Sequence, residues 1–329
     1  MIPGRRKERT ALNAKELRAV FHRDGRVYGG ALLRFDGMEG YDVYNCSIPF
    51  VWNGKRYIYG RVERHNEWAR STAHLFEEAG QDRWKAADGA VVYQLEDPYV
   101  AKIGGKMVLG GTHVRMKSGQ IDTYYGYFYC GTDLNDLYYF TTGPDRMKDI
   151  RLVEMDGGRI GVFSRPRNGV YEDGAASAIG FAVISSLDEL TADIIENAPR
   201  LRGLFGPGEW GGPNQAYFLT SGKIGVIGHM SWEDTAPDDG ERLQVYVNSS
   251  FVLDPETREV LDFKIIGCRS CYPASVPKLS RLRNCTFTSG IVMRADGKAD
   301  LYSGVCDAAE GRITIDNPFD GFGEIVGGF

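Results

Sequence analysis

The chain has 329 residues, with 42 glycines, 18 tyrosines and six cysteines, and carries 39 basic against 44 acidic side chains. A net charge of −5 argues against a general nucleic-acid binder. No apolar run reaches the ~18 residues a membrane span needs, and a hydrophobic fraction of 43% excludes a disordered or collagenous chain.

The first residues, MIPGRRKERT, are basic with no apolar core behind them, so no secretory signal is expected and the protein is placed in the cytoplasm. There Cys46, Cys130, Cys268, Cys271, Cys285 and Cys306 are expected as reduced, mostly buried thiols. Cys268 and Cys271 form a CxxC, but no second pair or histidine couple lies near enough for zinc, so no metal is predicted. The glycine excess disfavours helix, since each interior glycine costs about 1 kcal/mol relative to alanine. Short helices are predicted only at Ala14 to Phe21, within an N-terminal arm over residues 1–25, and at Leu187 to Asn197, capped by Ser186.

Five segments share one pattern, a turn ending in Gly-Lys or Gly-Arg followed by an apolar strand. They start at Asn53, Gly104, Gly157, Ser221 and Asp296. Asn-Gly, Gly-Gly, Ser-Gly and Asp-Gly supply the positive φ that tight hairpins demand. A strand-like run precedes each of them, such as Pro98 to Ile103, Ile150 to Met155 or Ala216 to Thr220. Five unequal hairpin units with room for outer strands predict an all-β fold, a single five-bladed β-propeller over residues 1–329. The alternative is a pair of β-sandwiches with similar turns.

Hairpin register locates a site, because the start of the first strand and the end of the second share one sheet edge. Seven residues past each turn glycine stand Arg61, Thr112, Arg165, His229 and Gly304. Eight to ten residues before it stand Asp97, then Lys148 and Asp149, then Asn214. Polar groups therefore gather at one rim of the channel, a usual place for a ligand. Arg61, Lys148, Arg151, Arg165 and His229 form a basic set suited to phosphate or carboxylate. Glu96 and Asp97 are adjacent on a strand, so one of the two is expected to face the channel. Trp68, Tyr93, Trp210, Tyr217 and Tyr302 lie near these motifs, where an aromatic face suits a sugar and core packing is the plainer reading.

Leu95-Glu96-Asp97-Pro98 resembles the Glu-Asp-Pro-Arg motif of glycoside hydrolase family 130, the β-mannoside phosphorylases. Lys148-Asp149-Ile150-Arg151 with Ser164-Arg165-Pro166 resembles that family's Lys-Asp stretch and His-Arg-Pro. Gly228-His229 resembles its Tyr-His-Gly, and Tyr302-Ser303-Gly304-Val305-Cys306-Asp307 its Tyr-Tyr-Gly-Ala-Ala-Asp. Tyr99 and Ser164 depart from the pattern; with Glu209-Trp210-Gly211-Gly212-Pro213-Asn214-Gln215, the chain is more similar to the β-1,2-mannosyltransferase/phosphorylases of glycosyltransferase family 108.

The resemblance implies a propeller enzyme that phosphorolyses β-1,2-mannosides with inversion, or builds them from mannose 1-phosphate. Asp97 matches the general acid, and Lys148, Arg165, His229 and Arg151 match phosphate-binding positions. Asn45, Arg61, Glu63, Asp149, Asn214, Gln215, Tyr302 and Asp307 are the expected substrate-binding residues. The implied partners are a β-mannooligosaccharide, mannose 1-phosphate and phosphate as co-substrate, with no further cofactor, nucleic acid or membrane. An inverting phosphorylase dispenses with the second carboxylate that an inverting hydrolase needs to activate water. The alternatives are a hydrolase, with Glu63, Asp149 or Asp307 as base, and a non-catalytic carbohydrate-binding propeller.

Overall fold

Each of the five glycine turns closes a hairpin. In the computed structural model, which describes residues 13–167, 171 and 174–327, Gly54, Gly105, Gly158, Gly222 and Gly297 have φ values of 77°, 76°, 75°, 76° and 80°. A Cβ would disfavour that left-handed region at every one of these turns.

The hairpins are the inner halves of five sheets arranged as the blades of a β-propeller, antiparallel except where Arg34–Asp36 pairs parallel to Arg83–Ala86. Blade 1 runs Phe50–Trp52, Lys55–Arg64, Thr72–Gly80 and Arg83–Ala86, and Tyr41–Tyr44 also pairs its second strand. Blade 2 runs Glu96–Ile103, Lys106–Lys117, Gln120–Gly131 and Tyr138–Thr142. Blade 3 has three strands among the described residues, Arg151–Glu154, Ile160–Ser164 and Gly180–Ile184. Blade 4 comprises Trp210–Phe218, Ile224–Thr235, Arg242–Leu253 and Val260–Gly267. Blade 5 comprises Thr286–Met293, Ala299–Val305 and Ala309–Ile315, and its outer strand is the N-terminal Val27–Leu32. The chain thus closes its own ring, which removes the open seam between first and last blades.

The core is five apolar slabs, one between each pair of neighbouring blades. Phe50, Tyr59 and Leu75 meet Val100, Met107 and Leu109 between blades 1 and 2. Phe128 and Val108 meet Leu152 and Val162 between blades 2 and 3, and Phe163 and Phe181 meet Met230 and Val245 between blades 3 and 4. Ile227 and Val252 meet Leu301 and Ile313, and Tyr302 closes the ring against Ile58, Phe76 and Trp84. Alternation sends odd and even residues of each inner strand into different slabs. Each fully buried Phe or Ile there contributes about 1.5–3 kcal/mol.

The predicted N-terminal helix spans Ala14–Asp24, capped by Asn13, and buries Ala14, Leu17 and Phe21 in the slab between blades 3 and 4. The rest of the arm, residues 1–12, lies outside the described residues. The second predicted helix is two pieces. Leu187–Glu189 is a 3-10 turn to which the Ser186 side chain gives no cap, and Ala192–Glu196 is a helix capped by Thr191. Leu190 between them is 2% exposed and extended; burying it breaks the helix, and Thr191 supplies the cap that restarts it. No helix of the described residues is long and apolar enough to cross a membrane.

Candidate active site

The starts of the first strands and the ends of the second converge at one mouth of the channel. Thr112 pairs with Glu96, His229 with Gly212 and Gly304 with Phe287. Arg61, Thr112, Arg165 and His229, the positions counted from the turn glycines, are all 5% exposed or less. Two glycines are required by close approach. A Cβ on Gly304 would collide with the Asn45 side chain, and one on Gly212 would lie 3.1–3.3 Å from Arg165, Asp149 and His229.

Asp97 stands at the centre. Its φ is 49°, and the strand register breaks between Glu96 and Tyr99. The expected alternation of the two carboxylates therefore fails. The bulge turns both toward one guanidinium: Arg61 donates from Nη1 to Asp97 Oδ1 at 2.9 Å and from Nη2 to Glu96 Oε1 at 3.1 Å. Asn45 Nδ2 donates to the same Asp97 oxygen at 2.9 Å, and Lys148 Nζ lies 3.7 Å from Asp97 Oδ2. Burial opposes the Asp97 charge, yet Arg61 and Lys148 outweigh it and hold the carboxyl below its ordinary range. Glu96 goes the other way: burial, helped by repulsion from Asp97, raises it against the pull of Arg61 and Lys148.

Asn45, Asp149 and Asp307 share the left-handed backbone of Asp97, with φ of 46°, 59° and 51°. Polar residues in that conformation at four blades of one mouth match the clustering of backbone strain at functional sites.

Blades 1, 2 and 5 supply a carboxylate-rich half. Glu63 accepts from Tyr44 OH at 2.7 Å, from Lys278 Nζ at 2.6 Å and from the Arg70 backbone N–H at 2.8 Å. It also lies 3.6 Å from Arg61. Burial opposes its charge, but Arg61, Lys278 and Tyr44 keep Glu63 below its usual value. Glu63 is therefore spent on holding Arg61 and Lys278. Asp307 is half-buried, and burial raises it in spite of Arg61. Among the described residues no hydrogen bond engages its carboxyl, so it is available to a ligand hydroxyl.

Blades 3 and 4 supply a cation-rich half. Arg165 Nη2 donates to Asp149 Oδ2 in a short contact, while its buried Nε has no partner among the described residues. Burial works against the Asp149 charge, but Arg165, Lys148 and Arg151 keep it well below the carboxylate range. Lys148 is 29% exposed at the side chain, and Asp97 and Asp149 outweigh burial to hold its proton. Arg151 is committed elsewhere: it donates to Asn214 O at 2.6 Å and Ile150 O at 3.0 Å and stacks 4.4 Å from the Tyr99 ring. It supports the floor of the site from beneath.

His229 is not a cation. Burial pushes its imidazole down to about 3, against the attraction of Asp149. Asn214 Oδ1 can only accept, so His229 Nδ1 donates to it at 2.8 Å and Nε2 is left as a neutral hydrogen-bond acceptor. The buried Asn214 Nδ2 has no partner among the described residues.

Two predicted substrate residues lie elsewhere. Tyr302 is 4% exposed in the slab between blades 5 and 1, two residues below Gly304, with its hydroxyl 3.5 Å from Arg56. Gln215 follows a register break after Pro213, donates to Val100 O at 3.0 Å and lines the opposite mouth. That mouth holds a cavity of about 980 Å³. Tyr93 and Tyr217 are also core residues, whereas Trp68 is 47% exposed under Arg281. Lys278 and Glu310 belong to no hairpin count and carry no motif. Glu310, with no exposed surface, accepts from the Cys46 backbone N–H at 3.0 Å and from Ser289 Oγ at 2.8 Å, and so anchors the turn that presents Asn45.

Residues 19–321 match the family described as Protein of unknown function (DUF1861), and no curated protein matches the chain. Among solved structures, MPT-4, a mannose phosphorylase from Leishmania mexicana in complex with phosphate ion, is 54% identical over 95% of this chain and 96% of its own, with a TM-score of 0.90. MPT-1, a GDP-Man-dependent mannosyltransferase from the same organism, is 43% identical over 96% and 99%, with a TM-score of 0.89. A glycosyl hydrolase from Bacteroides ovatus, 12% identical over 91% and 96% with a TM-score of 0.55, shares the fold alone. The first two agree with the resemblance carried by the motifs around Asp97, Lys148, Arg165 and His229. The chain belongs to the DUF1861 family and is related over nearly its whole length to the mannose phosphorylase and the mannosyltransferase of Leishmania mexicana.

Proposed function

We propose that the protein is an enzyme of the glycoside phosphorylase and transferase type that moves mannose between phosphate and a β-1,2-mannoside. The observation that carries this reading is the division of the mouth, with Asp97 on the boundary between a cationic half and a carboxylate half. The 54% identity to a mannose phosphorylase supports it.

In phosphorolysis the mannosyl unit sits over Asp97 and Asp307, and phosphate enters beside Lys148, the free Nε of Arg165 and His229. A phosphate oxygen forms a bond to the anomeric carbon as the glycosidic C–O bond breaks. The leaving oxygen takes the Asp97 proton, and backside attack inverts a β-mannoside to α-mannose 1-phosphate. The fixed cations stabilise the attacking anion without having to reorganise. Run backwards, the Asp97 carboxylate takes the proton of the acceptor hydroxyl while phosphate leaves.

Arg61 and Lys148 keep Asp97 ionised, the form that the base of the synthetic direction needs. Phosphate drawing on Lys148 weakens the main neighbour on Asp97 Oδ2 and raises its proton affinity, which suits the acid. Purified protein is expected to release mannose 1-phosphate from a β-1,2-mannooligosaccharide only when phosphate is present. Free mannose at the same rate without phosphate would establish a hydrolase instead. The 43% identity to a GDP-Man-dependent enzyme favours a second reading, in which GDP-mannose is the donor. Supplying GDP-mannose or mannose 1-phosphate to the same acceptor separates the two.

A further inference from the structure

Blade 2 carries a row of aromatic side chains that the mouth does not use. Tyr125, Tyr127 and Tyr129 alternate along its third strand, so they share one face. His113 pairs with Tyr125 on one side, and Tyr139 with Tyr129 on the other. The rings follow one another closely: His113 to Tyr127 at 4.6 Å and 11°, Tyr127 to Tyr139 at 5.3 Å, and Tyr129 to Tyr93 at 4.6 Å. Tyr139 is 51% exposed, and Tyr125, Tyr127, Tyr129 and His113 are half-buried.

The row is continuous with the mouth. His113 Nδ1 lies 3.2 Å from the Gln94 carbonyl, two residues before Glu96, and the neighbouring Thr112 pairs with Glu96 itself. Its upper end therefore reaches the carboxylate half, the side on which Asp97 meets the leaving-group oxygen.

We propose that this row is a secondary binding track for the acceptor end of a mannan chain that extends beyond the catalytic mouth. The proposal rests on the mannoside reading above. A tyrosine offers a flat apolar face and a hydroxyl at little cost in conformational entropy. A glycan offers C–H faces and hydroxyls to such a ring. The aromatics span three neighbouring strands of blade 2, Tyr127 and Tyr129 pack on the slab between blades 1 and 2, and the His113 end leads to the catalytic mouth.

The test compares wild type with Tyr139→Ser and with Tyr127→Ser/Tyr139→Ser. Tyr139 lies half exposed on an outer strand, so the single variant keeps the test independent of folding. Native gels cast with β-1,2-mannan, without phosphate, are expected to retard wild type and not the double variant. With phosphate, the variants are expected to show KM for long mannan raised about tenfold, with kcat and the disaccharide KM unchanged. Unchanged retardation and unchanged KM would overturn the track. So would a wild-type dimer that the variants convert to monomer with mannan affinity intact, which would assign the row to a second copy. Tyrosine-dependent retardation without turnover would leave the track standing and sink the phosphorylase reading. Turnover of disaccharide without retardation would do the reverse.

Discussion

The two halves of the mouth solve the same problem, burying charge, in opposite ways. On blades 3 and 4, Lys148, Arg151 and Arg165 surround one carboxylate, Asp149. On blades 1, 2 and 5, Glu63, Glu96, Asp97 and Asp307 surround Arg61 and Lys278. Summed over both halves the charges nearly cancel, so the acidic net charge of the chain does not encircle a purely cationic pocket. What matters is the separation. An anion finds unmatched positive charge on one side, and a sugar hydroxyl or a proton finds carboxylates on the other. The chemistry is placed on the dividing line, at Asp97, which touches Arg61 from one half and lies 3.7 Å from Lys148 of the other.

The largest break in this arrangement is the loss of the proton-transfer group. Asp97→Asn keeps the shape and removes the acid and base, so kcat is expected to fall about 10²–10⁴-fold in both directions. Phosphate affinity, measured by calorimetry, should remain within a few fold. Loss of phosphate binding instead would show that the halves are not separable.

Removing Arg165 attacks the cationic half from within. Arg165→Ala leaves Asp149 buried without its main partner, which is expected to cost about 3–5 kcal/mol in denaturant unfolding. Lys148→Ala is the milder version, because Lys148 is partly exposed and its ion pair with Asp97 is long. It is expected to leave stability unchanged and raise KM for phosphate about tenfold, with the KM for mannoside preserved. An equal rise in both would contradict the division.

The hairpin count made the rim legible, because a turn glycine at φ near 76° fixes both flanking strands and a strand has a period of two. Arg61, Arg165, His229, Asn214 and Asp97 followed from that. The same period misled wherever a bulge intervened. The break at Asp97 brings Glu96 and Asp97 to one guanidinium, and the break after Pro213 sends Gln215 to the other mouth. Tyr302 shares a face with Gly304 but sits one step lower, inside the slab. Lys278 reaches Glu63 across 215 residues from a segment outside the repeat, so no local pattern announces it. Nor does sequence show that His229 is neutral, since burial sets its proton affinity.

The smallest effect concerns Glu310, which supports the carboxylate half from beneath Asn45. Burial raises its carboxyl to about 8, against hydrogen bonds from Cys46 and Ser289. The unfolded chain loses this proton near pH 4.5, whereas the folded protein keeps it to about pH 8. The resulting stability is complete below the unfolded value and is lost as pH rises through that window. Wild type is expected to melt at a lower temperature at pH 8.5 than at pH 6, and Glu310→Gln to flatten the difference. An unchanged slope would assign the pH dependence to other groups.

The most direct test of the divided mouth is where phosphate binds. Crystals of this protein grown with phosphate are predicted to show hydrogenphosphate accepting from Lys148 Nζ and Arg165 Nε and donating its P–OH to His229 Nε2, leaving Arg61 on Asp97. Phosphate seated against Arg61 and Lys278, with the Lys148 side empty, would contradict the account.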